Sequence, residues 1–232
     1  MGGAGRASRH AVIRAVFFDL DGTLYDRDRA IQNALEEQFD AFRESLNGLS
    51  RSTFVDRLLE LDGHGHTNQG RIYEEAALEW NLDDTIAREL GRDYRSRYHR
   101  HCRLADDTLS TFQALRQSGR ILGLITNGPV VWQEKTLNGL GLDGRFDVVL
   151  ISEREGVRKP HRAIFARALE LSGVRSDEAV FVGDHPDADV AGGRAAGLIS
   201  IWKRVPYWEM TIEGVPIVDS LHEIVPIVLG GI

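Results

Sequence analysis

Two aspartates, Asp19 and Asp21, stand two residues apart in the run FFDLDGTLYD (residues 17–26), where an apolar stretch gives way to polar chain. If that stretch is a strand of a parallel sheet, both carboxylates sit beyond its carboxyl end, where such sheets bind their ligands. One can then act as nucleophile and the other as acid and base on a single small substrate. An Asp-Gly pair after an apolar run is also a hairpin signal. The next segment of this chain has the spacing of a helix rather than of a pairing strand.

Three further features fall at or just after later apolar runs. Thr126, Asn127 and Gly128 offer a hydroxyl and backbone amides to a phosphoryl oxygen; a helix-capping turn would use the same residue types. Arg158, Lys159 and Pro160 put cations just before a helix start, although an isolated lysine is ordinarily a solvated surface charge. The run FVGDHPDADVAGGRAAG (residues 181–197) brings Asp184, Asp187 and Asp189 within a few positions of one another. Crowded carboxylates repel, and a hard divalent cation such as Mg²⁺ relieves that repulsion. A polar turn with an aspartate capping the next helix suits Asp187, but it suits Asp184, at the strand end, less well.

These groups need a frame. Residues 15–18, 121–125, 146–151, 179–182 and 198–202 are short apolar runs rich in Val, Ile or Phe, the pattern of strands covered on both faces. Helical segments separate the last four. Residues 131–140 end at Gly141, and residues 163–171 open behind Pro160 and end at Gly173. The expected fold is α/β, a Rossmann-like parallel sheet with helical crossovers. The interval between the first two strands is too long for one crossover. In it Ile31, Leu35, Phe39 and Phe42 recur at helical spacing, as do Ile86, Leu90, Tyr94 and Tyr98. Residues 25–105 are therefore expected to form a helical insertion, and residues 1–24 with 106–232 the core. A helix over about residues 107–118, with Leu109, Phe112 and Leu115 on one face, returns the chain to the sheet.

With 42% hydrophobic and 27% charged residues among 232, the chain has the composition of an ordinary globular protein. Its net charge of −7 provides no global positive field for nucleic acid or an anionic membrane, so a small-molecule partner is expected. One cysteine, Cys102, rules out an intramolecular disulfide and fits a reducing, cytoplasmic location. The first ten residues are rich in Gly and Arg without the apolar centre of a secretory signal, and read as a leader.

The four groups of residues, in this order on alternating strands, resemble the haloacid dehalogenase superfamily. Asp19, Asp21, Gly22 and Thr23 look like its first motif, Thr126 its second, Lys159 its third, and Gly183, Asp184 and Asp189 its fourth. The insertion is similar to the helical cap of that superfamily's first cap class. The resemblance implies a phosphohydrolase in which Asp19 is transiently phosphorylated and Asp21 exchanges the protons. It implies Mg²⁺ held by Asp19, the backbone carbonyl of Asp21 and Asp184. Lys159 would offset charge, Asp189 would steady Lys159 or a metal-bound water, and Thr126 with the amide of Asn127 would anchor the phosphoryl group. The side chain of Asn127 would be free to meet the substrate, a small phosphorylated metabolite. A monomer or homodimer is expected.

Other readings stay open. A phosphomutase shares all four motifs, a 2-haloacid dehalogenase shares the nucleophile but not usually the second aspartate, and a non-catalytic binding protein can occupy the same fold. His64 and His66 tempt as metal ligands, but no carboxylate or cysteine stands at ligand spacing, and a loop is the plainer reading. Arg95, Arg97, Arg100 and Arg103, with His99 and His101, either meet an anionic substrate or form a solvated helix face. Trp202, Tyr207 and Trp208 are left between contact with the insertion and contact with another chain.

Overall fold

The computed structural model describes residues 12–65, 69–208 and 210–230. Six parallel strands lie in the order β3-β2-β1-β4-β5-β6, formed by β1 (Ala15–Phe18), β2 (Ile121–Thr126), β3 (Val148–Ile151), β4 (Ala179–Gly183), β5 (Ile199–Lys203) and β6 (Ile217–Val218). All four residues of β1 and all five of β4 are buried, as a parallel sheet with both faces covered requires. Phe18 pairs with Leu124 of β2 and with Val182 of β4. That register brings the residues just beyond all three strands to one level.

The chain divides into two compact units, Asp26–Arg103 and the residues on either side of it. The inserted unit holds α1 (Arg27–Phe42), α2 (Arg51–Asp62), α3 (Gln69–Glu79) and α4 (Asp84–Arg97). Ile31, Leu35 and Phe39 of α1 are buried, and so are Leu90 and Tyr94 of α4, one apolar stripe on each helix. Asp26 and Ser50 cap α1 and α2 by accepting from Arg29 N and Thr53 N.

In the sheet unit come α5 (Thr108–Gln117), α6 (Val130–Gly139), α7 (Ser152–Glu155), α8 (Arg162–Ser172), α9 (Gly192–Ala195) and α10 (Ile224–Gly230). Phe165 of α8 meets Phe181 of β4 edge to face, with ring centroids 5.1 Å apart, in a cluster that includes Phe17, Leu150 and Ile164. Each phenylalanine fully buried there stabilises the fold by roughly 1.5–3 kcal/mol.

One expected strand boundary is corrected. The third strand starts at Val148, not Phe146; the Phe146 ring turns instead onto Phe112, 5.3 Å away. Helix α8 begins directly behind Pro160, with His161 as its N-cap accepting from Ala163 N. Strand β6 was not expected; two residues are too few to carry a pattern. Among the described residues no helix is long and apolar enough to cross a membrane. The leader (residues 1–10) and His66 lie outside the described residues.

Candidate active site

The loops that leave β1, β2 and β4 meet at the carboxyl end of the sheet. Asp19 comes directly after β1, and its backbone N–H donates to Val182 O at 2.9 Å, which ties it to β4. Its Oδ1 lies 2.5 Å from Lys159 Nζ, and the same ammonium lies 2.7 Å from Asp189 Oδ1. All three side chains are buried. The ammonium also faces the Phe181 ring, 5.1 Å from its centroid.

Asp189 reaches Lys159 from a single wide π-type turn, Pro186–Ala191. Its other oxygen, Oδ2, accepts from His185 N at 3.0 Å. That turn is capped by His185, whose Nδ1 accepts from Asp187 N and Ala188 N. The expected cap, Asp187, is exposed and stands outside the acidic cluster; the carboxylate that joins Asp184 and Asp189 comes from β1 instead.

Asp184 stands directly after β4 under several constraints. Its Oδ1 accepts from Thr23 Oγ1 at 3.1 Å, its Oδ2 from Tyr207 Oη at 2.9 Å, and its backbone carbonyl from Trp202 Nε1 at 2.7 Å. Gly22 is required beside it. With φ at +81°, a Cβ there would lie 2.4 Å from Asp184 Oδ2. Two of the three unassigned aromatics thus hold Asp184, and Trp208 packs between His185 and Tyr207.

Asp19, Asp184 and Asp189 each present a carboxylate oxygen, and these oxygens lie within 4.8 Å of one another. Burial pushes Asp19 well above the usual carboxylate range; Lys159 pulls it down, and its carboxylate neighbours add to the rise. Burial, then Asp189, raises Asp184 to about 7, against the hydrogen bonds from Tyr207 and Thr23. Burial pushes Lys159 down, but Asp189 and Asp19 outweigh it and hold the ammonium above the ordinary lysine range. Three buried carboxylates facing one ammonium leave an excess of negative charge that favours taking up protons or a cation. An all-oxygen set of this kind fits a hard ion such as Mg²⁺. Asp189 spends one oxygen on the Lys159 ammonium and the other on the His185 backbone amide, whereas Asp184 meets the neutral hydroxyls of Thr23 and Tyr207 and Asp19 meets Lys159 through Oδ1, so Asp19 and Asp184 are the side chains best placed to serve one.

Thr126 is the last residue of β2 and is fully buried; the N-cap of α6 is Pro129, so Thr126 caps nothing. The expectation of a free Asn127 side chain is corrected. Its Nδ2 donates to Lys159 O at 3.0 Å and its Oδ1 accepts from Lys159 N at 2.9 Å. The carboxamide fastens the Lys159 loop to β2 and is spent on that task.

Asp21 points to two residues that its motif alone did not single out. Its Oδ1 accepts from Tyr25 Oη, and its Oδ2 accepts from Gln133 Nε2 at 2.6 Å. Tyr25 stands in the same FFDLDGTLYD run, whereas Gln133, buried in the first turn of α6, carried no sequence signal of its own. Three of the tempting basic residues of the insertion, Arg97, His101 and Arg103, have partners within their own unit. Arg97 binds Asp93 and Glu37, His101 Nε2 lies 2.7 Å from Glu37 Oε2, and Arg103 donates to the carbonyls of Arg100 and Cys102. His64 does have a carboxylate partner, Asp28 Oδ2 at 2.7 Å, in an ion-pair geometry.

The sequence profile of the haloacid dehalogenase-like hydrolases matches residues 13–197. The chain is 30% identical over 206 residues to a glyceraldehyde 3-phosphate phosphatase of Pyrococcus furiosus, covering 87% of this chain and 85% of that one. It is 32% identical over 200 residues to a ribulose-1,5-bisphosphate 5-phosphatase of Halopiger xanaduensis, covering 81% and 83%. Among solved structures, a 2-haloacid dehalogenase from Pseudomonas syringae superposes with a TM-score of 0.64 at 27% identity, over 94% of this chain and 98% of that one.

Proposed function

The chain belongs to the haloacid dehalogenase-like hydrolases, and from that premise we propose that it is a phosphatase hydrolysing small phosphate monoesters through an aspartyl phosphate on Asp19. The observation that carries this reading is Asp21, a second carboxylate two residues beyond the nucleophile, with a donor on each of its oxygens. Phosphoryl transfer to an alcohol or water needs a proton carrier there; displacement of halide does not.

In the first step a carboxylate oxygen of Asp19 bonds to phosphorus while the ester P–O bond breaks. The departing alkoxide takes the proton of Asp21. In the second step Asp21 takes a proton from water, the water oxygen bonds to phosphorus, and the bond to Asp19 breaks to release phosphate. Lys159, bound to Asp19 at 2.5 Å, opposes the charge of the incoming dianion. The Thr126 hydroxyl and the Asn127 backbone amide bind phosphoryl oxygens, and Asp189 orients Lys159. Mg²⁺ held by Asp19, the Asp21 carbonyl and Asp184 would supply further positive charge against the phosphoryl oxygens. The two relatives are named for short-chain sugar phosphates, which makes that class the first to assay.

The test is a variant pair given a phosphate ester with a good leaving group. Asp21→Asn needs little protonation for the first step but cannot activate water, so it accumulates phosphorylated protein; intact-mass analysis after acid quench shows the adduct, and peptide mapping puts it on Asp19. Asp19→Asn shows neither adduct nor turnover. An adduct on another residue, or halide release from a 2-chloro acid without phosphatase activity, overturns the reading.

A further inference from the structure

Gln133 has no place in the motifs, yet it is 1% exposed and touches three parts of the candidate site. Its Nε2 lies 2.6 Å from Asp21 Oδ2, 2.6 Å from Thr126 Oγ1 and 3.1 Å from the Asn127 carbonyl. Asp21 is 112 positions away in sequence. A carboxamide nitrogen carries two hydrogens, and the two shortest contacts account for both. The hydroxyl of Thr126, accepting from this amide, keeps its own hydrogen to donate elsewhere.

The amide is also confined. Gly128, with φ at +152°, passes so close that a Cβ on it would meet the Gln133 Cδ and Nε2 at 3.1–3.2 Å. Gln133 Oε1 is buried with no hydrogen-bond partner among the described residues, a cost of about 1–3 kcal/mol in ordinary proteins. A leucine or methionine at this point of α6 would avoid that cost. The donors of the side chain, rather than its bulk, therefore account best for a glutamine here.

We propose that Gln133 is a positioning residue for the reaction, fixing the Asp21 carboxyl in the rotamer from which it exchanges protons and holding it at a set distance from the phosphoryl anchor Thr126. Tyr25, four positions after Asp21, holds its other oxygen. With one donor on each oxygen, the carboxyl plane has a defined orientation before substrate arrives, which is how a proton carrier is kept within reach of a leaving oxygen. The proposal rests on the phosphatase reading of Asp21.

The experiment compares Gln133→Met, which keeps length and removes both donors, with the unaltered protein on two esters: an alkyl phosphate, whose leaving group needs a proton, and p-nitrophenyl phosphate, which needs little. The expected result is a fall of about 10- to 100-fold in the single-turnover rate of alcohol release from the alkyl ester, the step before Asp21 acts on water, and a several-fold smaller fall in the single-turnover release of nitrophenol, with substrate affinity little changed on both. General distortion of the site lowers both by the same factor, and that result overturns the proposal, as does unaltered turnover of both. In an Asp21→Asn background the Gln133→Met change costs little more, because its partner has lost its role; a full additional loss there also overturns it. If Asp21→Asn by itself leaves alkyl-ester turnover intact, the phosphatase reading has failed instead. Gln133→Leu is read in the same way if the methionine variant does not fold.

Discussion

At the mouth of the sheet, Lys159 keeps 2% of its side chain exposed, between Asp19 at 9% and Asp189 at 1%. In the inserted unit, Arg97 also binds two carboxylates, but one of them, Glu37, is 45% exposed. The contacts are alike and the energetics differ. Exposed pairs gain little because water already solvates both partners. A buried set pays several kcal/mol per ion in desolvation, which its mutual attraction only partly repays. A fold that needed only stability would place apolar groups where Lys159, Asp19 and Asp189 lie. Buried titratable groups with shifted proton affinities concentrate where chemistry is done.

The largest effect expected from this comparison comes from removing the buried cation. Lys159→Ala should lower turnover by a factor of order 10² or more, as loss of one preorganised electrostatic partner does elsewhere. The variant should remain folded, since Asp19, whose carboxyl burial already raises, can take up a proton when the ammonium is gone. Steady-state rates beside a circular-dichroism melt check this. Near-normal turnover would place Lys159 with the surface charges and dissolve the contrast.

An intermediate effect concerns Asp184 and pH. Its folded carboxyl is raised to about 7 from the usual 3.8. A carboxyl raised on folding contributes stability below its unfolded value and loses that contribution as pH rises through its folded value. A cation bound by the carboxylate must displace the proton, so stabilisation by a fixed Mg²⁺ concentration should grow between about pH 4 and pH 7 and level off above. Below the folded value, each pH unit weakens apparent affinity by up to about tenfold. Melting temperatures with and without Mg²⁺ across that range, repeated on Asp184→Asn, provide the measurement. A Mg²⁺ shift of constant size from pH 5 to 8 would remove Asp184 from the ion's ligands.

The same division separates what was legible in the sequence from what was not. Strands β1, β2 and β4 were readable because a strand covered on both faces must be apolar without interruption, and Asp19, Thr126 and Asp184 were readable because they end those strands or stand directly after them. Contacts between distant segments were not. The carboxamide of Asn127 is spent on the Lys159 backbone, the Gln133 amide reaches Asp21 from another helix, and Tyr207 reaches back to Asp184. Such pairings depend on the sheet order and on which helix face turns inward, neither of which a local run of residues contains. His185 took the capping role expected of Asp187 for a related reason. A ring nitrogen can accept from a turn as a carboxylate does, but residue type alone favours the aspartate.

The smallest effect belongs to the inserted unit and tests the other half of the comparison. Arg97→Ala removes the contacts to Asp93 and Glu37, while His101 keeps its own contact with Glu37 at 2.7 Å. Since water replaces much of what is lost, the stability change should be about 1 kcal/mol or less. It should shrink further at about 1 M salt, where the screening length falls to about 3 Å. Turnover should be unchanged and KM should stay within about twofold, because a guanidinium already satisfied by two carboxylates has little positive charge left to offer an anionic substrate. Denaturant titrations at two salt concentrations and a KM measurement on the best sugar phosphate check both parts. A tenfold rise in KM with unaltered stability would mean that Arg97 exchanges its carboxylates for the substrate's phosphate. The basic helix of the insertion would then belong with the buried site as part of the reaction, and exposure would no longer separate the two sets of charges.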